Sequence, residues 1–356
     1  MIGITASLLA LLASLTPVTS VESAELTCTF SIVALDARTG EMGIAVASRV
    51  PFVGHDVPWA EAGTGAVATQ AWVNQQYGPD GLELLAGGMT AGEALAALVS
   101  ADPDSALRQL GIVDADGGSA SFTGSGTSDW AGGVTGPGYA IQGNILVSGD
   151  VILDMETAFL GTEGPLARRL LEALKAGDAA GGDSRGRQSA ALLVVREDGG
   201  NDGASDRFVD IDVFDNPYPI PELERLYGIW ETYNVFPVYV DAAREPELSY
   251  AMDILDRVLR EEEPDPDLYN YYAWTLAERG LYPDRALEIA VQAHDMAPDD
   301  HNIVDTLAEC FYVAGDPVSA VVWEERALEM DPGNEYYMTQ LEKFEAAAAV
   351  TTGATL

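Results

Sequence analysis

The sequence has few of the side chains that catalyse most hydrolytic reactions. Its 356 residues include three histidines, of which only His55 precedes residue 231, and two cysteines, Cys28 and Cys310. A Ser-His-Asp triad or a zinc site built from histidines is therefore hard to assemble in the first part of the chain. The two cysteines fall in different predicted domains, so no structural disulfide is implied. We expect neither a metal site nor a cofactor.

Basic side chains are also scarce. The chain has 18 lysines and arginines against 57 aspartates and glutamates, which gives a net charge of -39 at pH 7. A field of this sign repels nucleic acids and anionic membranes, so we exclude both as partners.

Long apolar runs are missing, and this absence argues against a membrane span. The apolar run at residues 6–15 (ASLLALLASL) is too short to cross a bilayer, and its length is typical of the central region of a signal peptide. We therefore predict a signal peptide over residues 1–24 and an exported protein, periplasmic or extracellular.

What is present over residues 26–230 is a mixture of strands, glycine turns and helices. TFSIVALD alternates polar and apolar residues with a period of two, and GIAVAS follows after a turn, which predicts a β-hairpin. Thr90 and Glu93 form a capping box that opens a helix. A further amphipathic helix is predicted over 164–177, with Gly177 as its stop. Strands and helices in separate runs favour an α+β domain.

From residue 231 to about 347 the pattern is helical and repetitive. The segments 269–300 and 301–334 repeat with a period of 34 residues, as the pair Ala286 and Ala320 illustrates. This period is typical of tetratricopeptide repeats, whose concave face usually binds a peptide or a protein partner. Packing on the first domain is the alternative role. Residues 348–356 are predicted to form a flexible tail.

One catalytic strategy needs no histidine. A Thr, Ser or Cys at a free N-terminus can use its own α-amino group, with a pKa of about 8, as general base. The nucleophile must be the first residue, at the start of a strand and beside hydrogen-bond donors. Cys28 and Thr29 stand together at the start of the first predicted strand.

Several segments carry a family resemblance: TFSIVALD, GIAVASRVPFVG, VPWAEAGTGAVATQAWVNQQYGPDGLELLAGG, DWAGGVTGPGYAIQGNIL and GGDSRGRQSAALLVVRE. Together they resemble a mainly bacterial domain-of-unknown-function family whose fold belongs with the N-terminal-nucleophile (Ntn) hydrolases. The resemblance spans about residues 28–230. It implies a four-layer αββα sandwich in which Thr29 becomes the first residue.

The residues before Thr29 depart from this family pattern. Glu25-Leu26-Thr27-Cys28 separates Thr29 from any plausible signal-peptide cleavage, and Thr29 then has no free amine. Either self-cleavage exposes Cys28 or Thr29, or the site is silent. Cys28 is an alternative nucleophile, and its other interpretation is a small buried residue at the start of a strand.

Other site candidates are polar residues within the matching segments. Ser48 and Arg49 end the second strand, and we expect Arg49 to lower the pKa of the nucleophile, with an ion pair to Glu61 or Asp36 as the alternative. Hydrogen bonds to buried backbone are the alternative role of the amide side chains. The remaining candidates for the substrate pocket are Glu61 as a base, Gln70, Asn74, Gln142 and Asn144 as donors to an oxyanion or amide, and Tyr77 as a wall.

Two functions follow from these features. The first is an exported Ntn-type amidohydrolase that cleaves a peptide-like or cell-wall C–N amide bond and docks partners through its repeats. The second is a catalytically inactive Ntn-fold scaffold that binds a ligand or a protein. The mature N-terminus discriminates between the two.

Overall fold

The computed structural model describes residues 29–200, 203–260 and 264–353. Cys28 and the predicted signal peptide lie outside these residues. The strands are β1 (Thr29–Asp36), β2 (Glu41–Ser48), β3 (Pro58–Glu61), β4 (Gly65–Ala71), β5 (Arg108–Asp114), β6 (Ser119–Thr123), β7 (Gly132–Gly136), β8 (Tyr139–Asn144), β9 (Ser189–Val195) and β10 (Arg207–Val213).

The helices fall among the strands in the first part of the chain and follow one another after it. They are α1 (Val53–Asp56), α2 (Tyr77–Ala86), α3 (Ala91–Ala101), α4 (Asp150–Gly161), α5 (Leu166–Ala179), α6 (Pro219–Asn234), α7 (Phe236–Ala242), α8 (Glu247–Val258), α9 (Pro266–Glu278), α10 (Pro283–Met296), α11 (His301–Val313), α12 (Pro317–Met330) and α13 (Glu335–Thr352).

The strands form two antiparallel sheets. One has six strands in the order β10-β9-β2-β1-β8-β7, and the other has four in the order β3-β4-β5-β6. Strand β1 is central in the larger sheet, where Thr29 lies opposite Ser48 on β2 and Asn144 on β8. The α+β domain with two sheets that the sequence predicts is confirmed.

Alternation along β1 gives each of its faces a different core. Phe30 and Ile32 pack with α4, α5 and α6 on the outer face of the larger sheet. Val33 and Leu35 pack between the two sheets. Helices α2 and α3 cover the outer face of the smaller sheet. Because side chains alternate along a strand, Thr29 shares the face of Val33 and therefore points between the sheets.

Helix α5 differs from its prediction at its C-terminal end. Gly177 does not stop the helix, which continues to Ala179. A Cβ at position 177 would lie 2.8 Å from Cγ of Met155, so glycine is needed there for close packing of α4 on α5. The glycines with left-handed backbone, Gly181 (φ 112°) and Gly182 (φ 55°), follow the end of the helix.

Helices α10 and α12 start 34 residues apart, the spacing that the sequence predicts. Helices α10 and α12 both have 14 residues and both start at a proline, Pro283 and Pro317. The final helix, α13, runs to Thr352, so the segment predicted as a flexible tail begins inside a helix. Residues 346–349 are alanines, which have the highest helix propensity.

The first part of the chain is joined to the helices by a buried ion cluster. The carboxylate of Glu231, in α6, accepts hydrogen bonds at 2.6 Å from Nη2 of Arg168 in α5 and from Nη2 of Arg257 in α8. The hydroxyl of Tyr250, also in α8, donates to the same carboxylate. Burial opposes the charge of Arg168, but the Glu231 carboxylate outweighs it and raises the pKa of Arg168.

A second buried cluster lies among the last three helices. Glu324 of α12 is fully buried, and neither of its carboxyl oxygens has a hydrogen-bond partner in the described part of the chain. Burial and the neighbouring carboxyl group of Asp305 raise the pKa of Glu324, and burial also raises the pKa of Asp305. Glu309 of α11 is neutralised by Lys343 of α13, whose Nζ lies 2.5 Å from Oε2 of Glu309.

This cluster predicts that stability falls as the pH rises. The pKa of Glu324 in the folded protein is raised above its unfolded value of about 4. The contribution of the neutral carboxyl group to stability is therefore complete below a pH of about 4, and it is lost as the pH rises through the folded-state pKa. Glu324→Gln removes the titration, and at pH 9 the variant should be more stable than wild type by at least about 1 kcal/mol. Urea unfolding between pH 5 and 9, followed by circular dichroism, measures this difference.

The matched control is Glu325→Gln, which removes the same charge from an exposed neighbour on the same helix. Equal pH slopes for the two variants would contradict the assignment to the buried cluster.

Candidate functional site

The site begins with the hydroxyl of Thr29, the first residue of the central strand. Its Oγ1 lies 3.2 Å from Oγ of Ser48, directly across on β2. Both side chains are buried, with 0% and 2% of their surface exposed. Two hydroxyl groups in contact between the sheets are therefore held by the register of β1 against β2.

Gln70 reaches this point from the other sheet. It lies at the end of β4, and its Nε2 donates to the carbonyl oxygens of Thr29 at 3.2 Å and Gln142 at 3.3 Å. The same nitrogen lies 2.8 Å from Oε1 of Gln109. In return, the hydroxyl of Ser31 donates to Oε1 of Gln70 at 2.6 Å. Gln70 thus bonds two strands of the larger sheet at once.

Gln109 of β5 continues this network, although the sequence analysis did not single it out. Its Nε2 donates to the carbonyl of Gly143 at 2.8 Å and to Oγ1 of Thr123 at 2.9 Å. Its Oε1 accepts from Nδ2 of Asn144 at 3.0 Å. The sequence feature that points to Gln109 is its position in β5. It lies on the same face of the strand as Val113, which packs between the two sheets.

Gln142 brings a polar atom without a partner into the network. Its Nε2 donates to Oγ of Ser31 at 2.7 Å, whereas its Oε1 is buried and has no hydrogen-bond partner among the residues described. A Cβ at Gly111 would lie 2.1 Å from this Oε1, so only glycine lets β5 approach so closely. A buried acceptor without a partner costs about 1–3 kcal/mol.

Arg49 follows Ser48 along the chain, but its side chain is exposed. The Arg49 guanidinium donates to Oε1 of Gln188, and its backbone N–H donates to Oδ2 of Asp183 at 2.8 Å. The structure therefore places Arg49 against the segment that leads into β9. Ser48 is the residue of this pair that contacts Thr29.

Glu61 lies at the far end of the smaller sheet from Gln70. It is opposite Gly65 at the β3–β4 turn and accepts from Oγ1 of Thr64 at 3.1 Å. Gln70 is the fifth residue after Gly65 along β4, which corresponds to roughly 17 Å along the strand. The structure does not bring Glu61 to Thr29.

Asn74 and Tyr77 line a different place, a cleft of about 800 Å³ beside α2 and α3. The Tyr77 hydroxyl donates to Oδ2 of Asp102 at 3.0 Å, and Nε of Arg108 donates to the same oxygen at 2.8 Å. Burial would raise the pKa of Asp102, but the hydrogen bonds from Arg108, the Asp104 amide and Tyr77 outweigh it and lower the pKa to about 2. This cleft is lined by helices on the outer face of the smaller sheet, whereas Thr29 faces its inner side.

Arg49, Glu61 and the pair Asn74 and Tyr77 lie in three different places and do not join Thr29. The candidates that meet at the start of β1 are Thr29, Ser48, Gln70, Gln142 and Asn144.

In the part of the chain that the structure covers, no group of three or more His, Cys, Asp or Glu side chains is arranged to hold a metal ion. No described helix has the length and apolar character needed to cross a membrane.

Comparison with known proteins supports one assignment. The model of a family of unknown function, DUF1028, matches residues 29–223, more than half of the chain. The chain belongs to this family. A crystal structure of protein SPO2555 from Silicibacter pomeroyi, described with the DUF1028 family model, shares 34% sequence identity and superimposes with a TM-score of 0.53. The match covers 57% of this chain and 89% of that one. No curated protein matches the sequence.

The first and last residues of the DUF1028 match can be located in the structure. It begins at Thr29, the first residue of β1, and it ends at residue 223 within α6. Helices α7 to α13 therefore lie outside the match. The family resemblance predicted from the sequence is confirmed.

The amide network predicts a large cost for removing Gln70. Gln70→Ala removes the donor to the Thr29 carbonyl and the acceptor of the Ser31 hydroxyl from a buried site, so the free energy of unfolding should fall by about 2–4 kcal/mol. Urea denaturation of the two proteins measures this loss. Gln76→Ala, at an exposed position, is the matched control and should change the stability by less than about 0.5 kcal/mol. Equal effects would mean that the network adds no stability.

Proposed function

We propose that this DUF1028 protein is an exported Ntn-type amidohydrolase whose nucleophile is Thr29. The observation that carries the proposal is the position of the Thr29 hydroxyl. It sits on the first residue of the central strand, in contact with Ser48 and backed by the Gln70 network. The family match begins at the same residue. Two facing antiparallel sheets between helical layers support an αββα Ntn-type fold.

The proposed chemistry uses two groups of one residue. The α-amine of Thr29, once free, takes the proton of its own hydroxyl while Oγ1 attacks the carbonyl carbon of the amide. The ammonium then gives the proton to the leaving nitrogen, and the C–N bond breaks. An ester on Oγ1 remains, and water hydrolyses it to release the carboxylate and restore the hydroxyl.

Neighbouring residues act on this step by positioning. Ser48 contacts the hydroxyl of Thr29 and restricts its rotamers, while Gln70 holds the Thr29 carbonyl at 3.2 Å. Asn144 holds Gln109, the next member of the network. A nucleophile fixed in this way loses little conformational entropy on reaching the transition state.

The proposal requires that the peptide bond between Cys28 and Thr29 be cleaved. The Thr29 hydroxyl can attack the Cys28 carbonyl, which gives an ester and a free α-amine on Thr29. Hydrolysis of that ester by water releases the preceding segment as a carboxylic acid. The mature protein then starts at Thr29 with both groups that the reaction needs.

Outside the family match, we propose that α9 to α13 form tetratricopeptide-type hairpins that dock a peptide or protein partner. Support comes from the 34-residue offset between α10 and α12, each of which starts at a proline. Stacked helical pairs of this length commonly present a concave binding surface.

The test identifies the N-terminal residue of the exported protein and measures the reactivity of that residue. N-terminal sequencing of exported protein should give Thr29, and a β-lactone electrophile should label it at a rate that rises with pH through about 7–8, the range of an α-amine. Thr29→Ala should reduce labelling at least about a thousandfold, and Thr29→Ser should retain part of it. Thr157→Ala removes an exposed threonine hydroxyl on α4, outside the network, and should be labelled at the wild-type rate.

Two outcomes would overturn the assignment. Protein that starts at Thr29 and is not labelled is an inactive scaffold. Labelling that disappears in Cys28→Ala and persists in Thr29→Ala moves the nucleophile to Cys28.

A further inference from the structure

The loop between α5 and β9 runs along the end of the larger sheet at which β1 starts. We call residues 182–188 of this loop the end loop. The backbone N–H of Gln188 donates to the carbonyl of Ser48 at 3.1 Å, and that of Ser184 donates to the carbonyl of Ile145 at 3.1 Å. Ser48 ends β2, Ile145 follows β8, and these two strands are the neighbours of β1. The end loop is therefore bonded to the chain on both sides of the first residue of β1.

Basic side chains are concentrated around the end loop. Three of the chain's 18 lysines and arginines lie here, although the net charge of the protein is -39. Arg185 and Arg187 belong to the loop, and Arg49 follows directly after β2. The buried carboxylate of Asp183 accepts hydrogen bonds from the backbone N–H groups of Arg49 and Arg185, both at 2.8 Å. Asp183 thereby fixes the backbone of two of the three arginines.

Arg49 differs from the other two arginines in its partner. Arg185 and Arg187 each form an ion pair with a nearby aspartate. The exposed guanidinium of Arg49 donates to Oε1 of Gln188, a neutral amide, and it forms no ion pair with a carboxylate of the described residues. Nε2 of Gln188 donates to Asp215 at 2.8 Å, so the amide stands between Arg49 and that carboxylate. Because a guanidinium has five N–H donors, Arg49 keeps donors for a ligand, and its exposed position makes them accessible.

Arg49 does not contact Thr29, but it lies a short distance beyond it. Thr29 is opposite Ser48 in the pairing of β1 with β2, where paired Cα atoms are about 4.5–5.5 Å apart. One further step of about 3.8 Å along the chain brings the Cα atom of Arg49 within about 10 Å of that of Thr29. The Arg49 side chain passes over Gly186, since a Cβ at that position would lie 3.8 Å from its Cδ and Nε atoms. A substrate that extends from Thr29 by one to three residues, at about 3.5 Å each, spans this distance.

We propose that Arg49 selects for a substrate amide that carries a free carboxylate. The inference rests on the proposed hydrolase, because it names the class of amide that Thr29 cleaves. The carboxylate accepts two N–H bonds from the planar guanidinium of Arg49, in place of the single bond to Gln188. Cleavage before Thr29 removes chain from this end of β1, and the substrate binds at the end from which that chain was removed. Arg49 is then a specificity-determining residue of the proposed reaction.

The charge of the whole protein makes a direct contact necessary for this selectivity. A net charge of -39 repels anions, and salt screens the repulsion only beyond about 8 Å at physiological ionic strength. Arg185 and Arg187 are each compensated by an aspartate and add little net positive charge. The selectivity for a carboxylate should therefore depend on Arg49.

The experiment compares two series of β-lactone probes on the mature protein. Both series vary the length of the chain between the lactone and its terminal group, which is a carboxylate in one series and a carboxamide in the other. At the best length, the carboxylate probe should label at least about tenfold faster, because it gains a charge-assisted hydrogen bond. Equal rates at every length overturn this inference and leave the hydrolase standing. Absence of labelling by both series overturns the hydrolase itself, and the selectivity with it.

Variants assign the selectivity to one residue. Arg49→Gln should lower the ratio of the two labelling rates to about one, and the carboxamide probe reports in the same sample whether the protein is folded. Arg49→Lys should keep part of the ratio, since the charge remains without the planar fork. Arg225→Gln, on α6, is the matched control because that side chain is 57% exposed, and it should keep the wild-type ratio. A ratio that persists in Arg49→Gln and disappears in Arg185→Gln would overturn the assignment to Arg49.

Discussion

The side-chain amide of Gln70 joins the two sheets at the end where β1 begins. One nitrogen contacts the carbonyls of Thr29 and Gln142, which belong to neighbouring strands of the larger sheet. Apolar packing between sheets tolerates sliding, whereas hydrogen bonds in a dry interior fix a distance and an orientation. The register of β1 against β2 places the Thr29 hydroxyl against Ser48, and the Gln70 amide fixes the Thr29 backbone beside it.

A second constraint is the shortage of positive charge. With 18 basic side chains against 57 acidic ones, the chain can pair only a minority of its carboxylates. Two arginines, Arg168 and Arg257, pair with the buried carboxylate of Glu231. The cluster around Glu324 shows the other solution, in which burial raises the pKa and the group is kept neutral by a proton. Burial without pairing is stable only while that proton is bound.

Local sequence patterns predicted the helices and strands well, but they did not predict which of these elements contact one another. The capping box at Thr90 and Glu93 forms both of its bonds, because both partners lie within one helical turn. The 34-residue spacing of the helices is likewise visible in the sequence. Arg49 is the counter-example, since it adjoins Ser48 in the chain and turns to Gln188 across the surface.

The site shows the same limit. Asn74 follows Gln70 by four residues, yet it lines a cleft on the outer side of the smaller sheet. Gln109 belongs to the network through the pairing of β5 with β4, which its own neighbours in sequence do not encode. Gly177 looked like a helix stop because the pattern ended there, but its small size serves the contact with Met155. Distances between elements depend on tertiary packing, so short sequence windows carry little information about them.

Helix α6 begins inside the family match and ends beyond it. Tyr227 is buried in the core of the first part of the chain, and five residues later the hydroxyl of Thr232 lies 2.8 Å from that of Tyr272 in α9. A single helix therefore belongs to two hydrophobic cores, and no linker separates them. Each residue of an α-helix adds about 100° of rotation and 1.5 Å of length. One residue inserted between Tyr227 and Thr232 would turn the C-terminal helices, and anything bound to them, by more than a quarter of a circle relative to Thr29. The length of α6 thus fixes the rotation of the C-terminal helices about its axis relative to the first part of the chain.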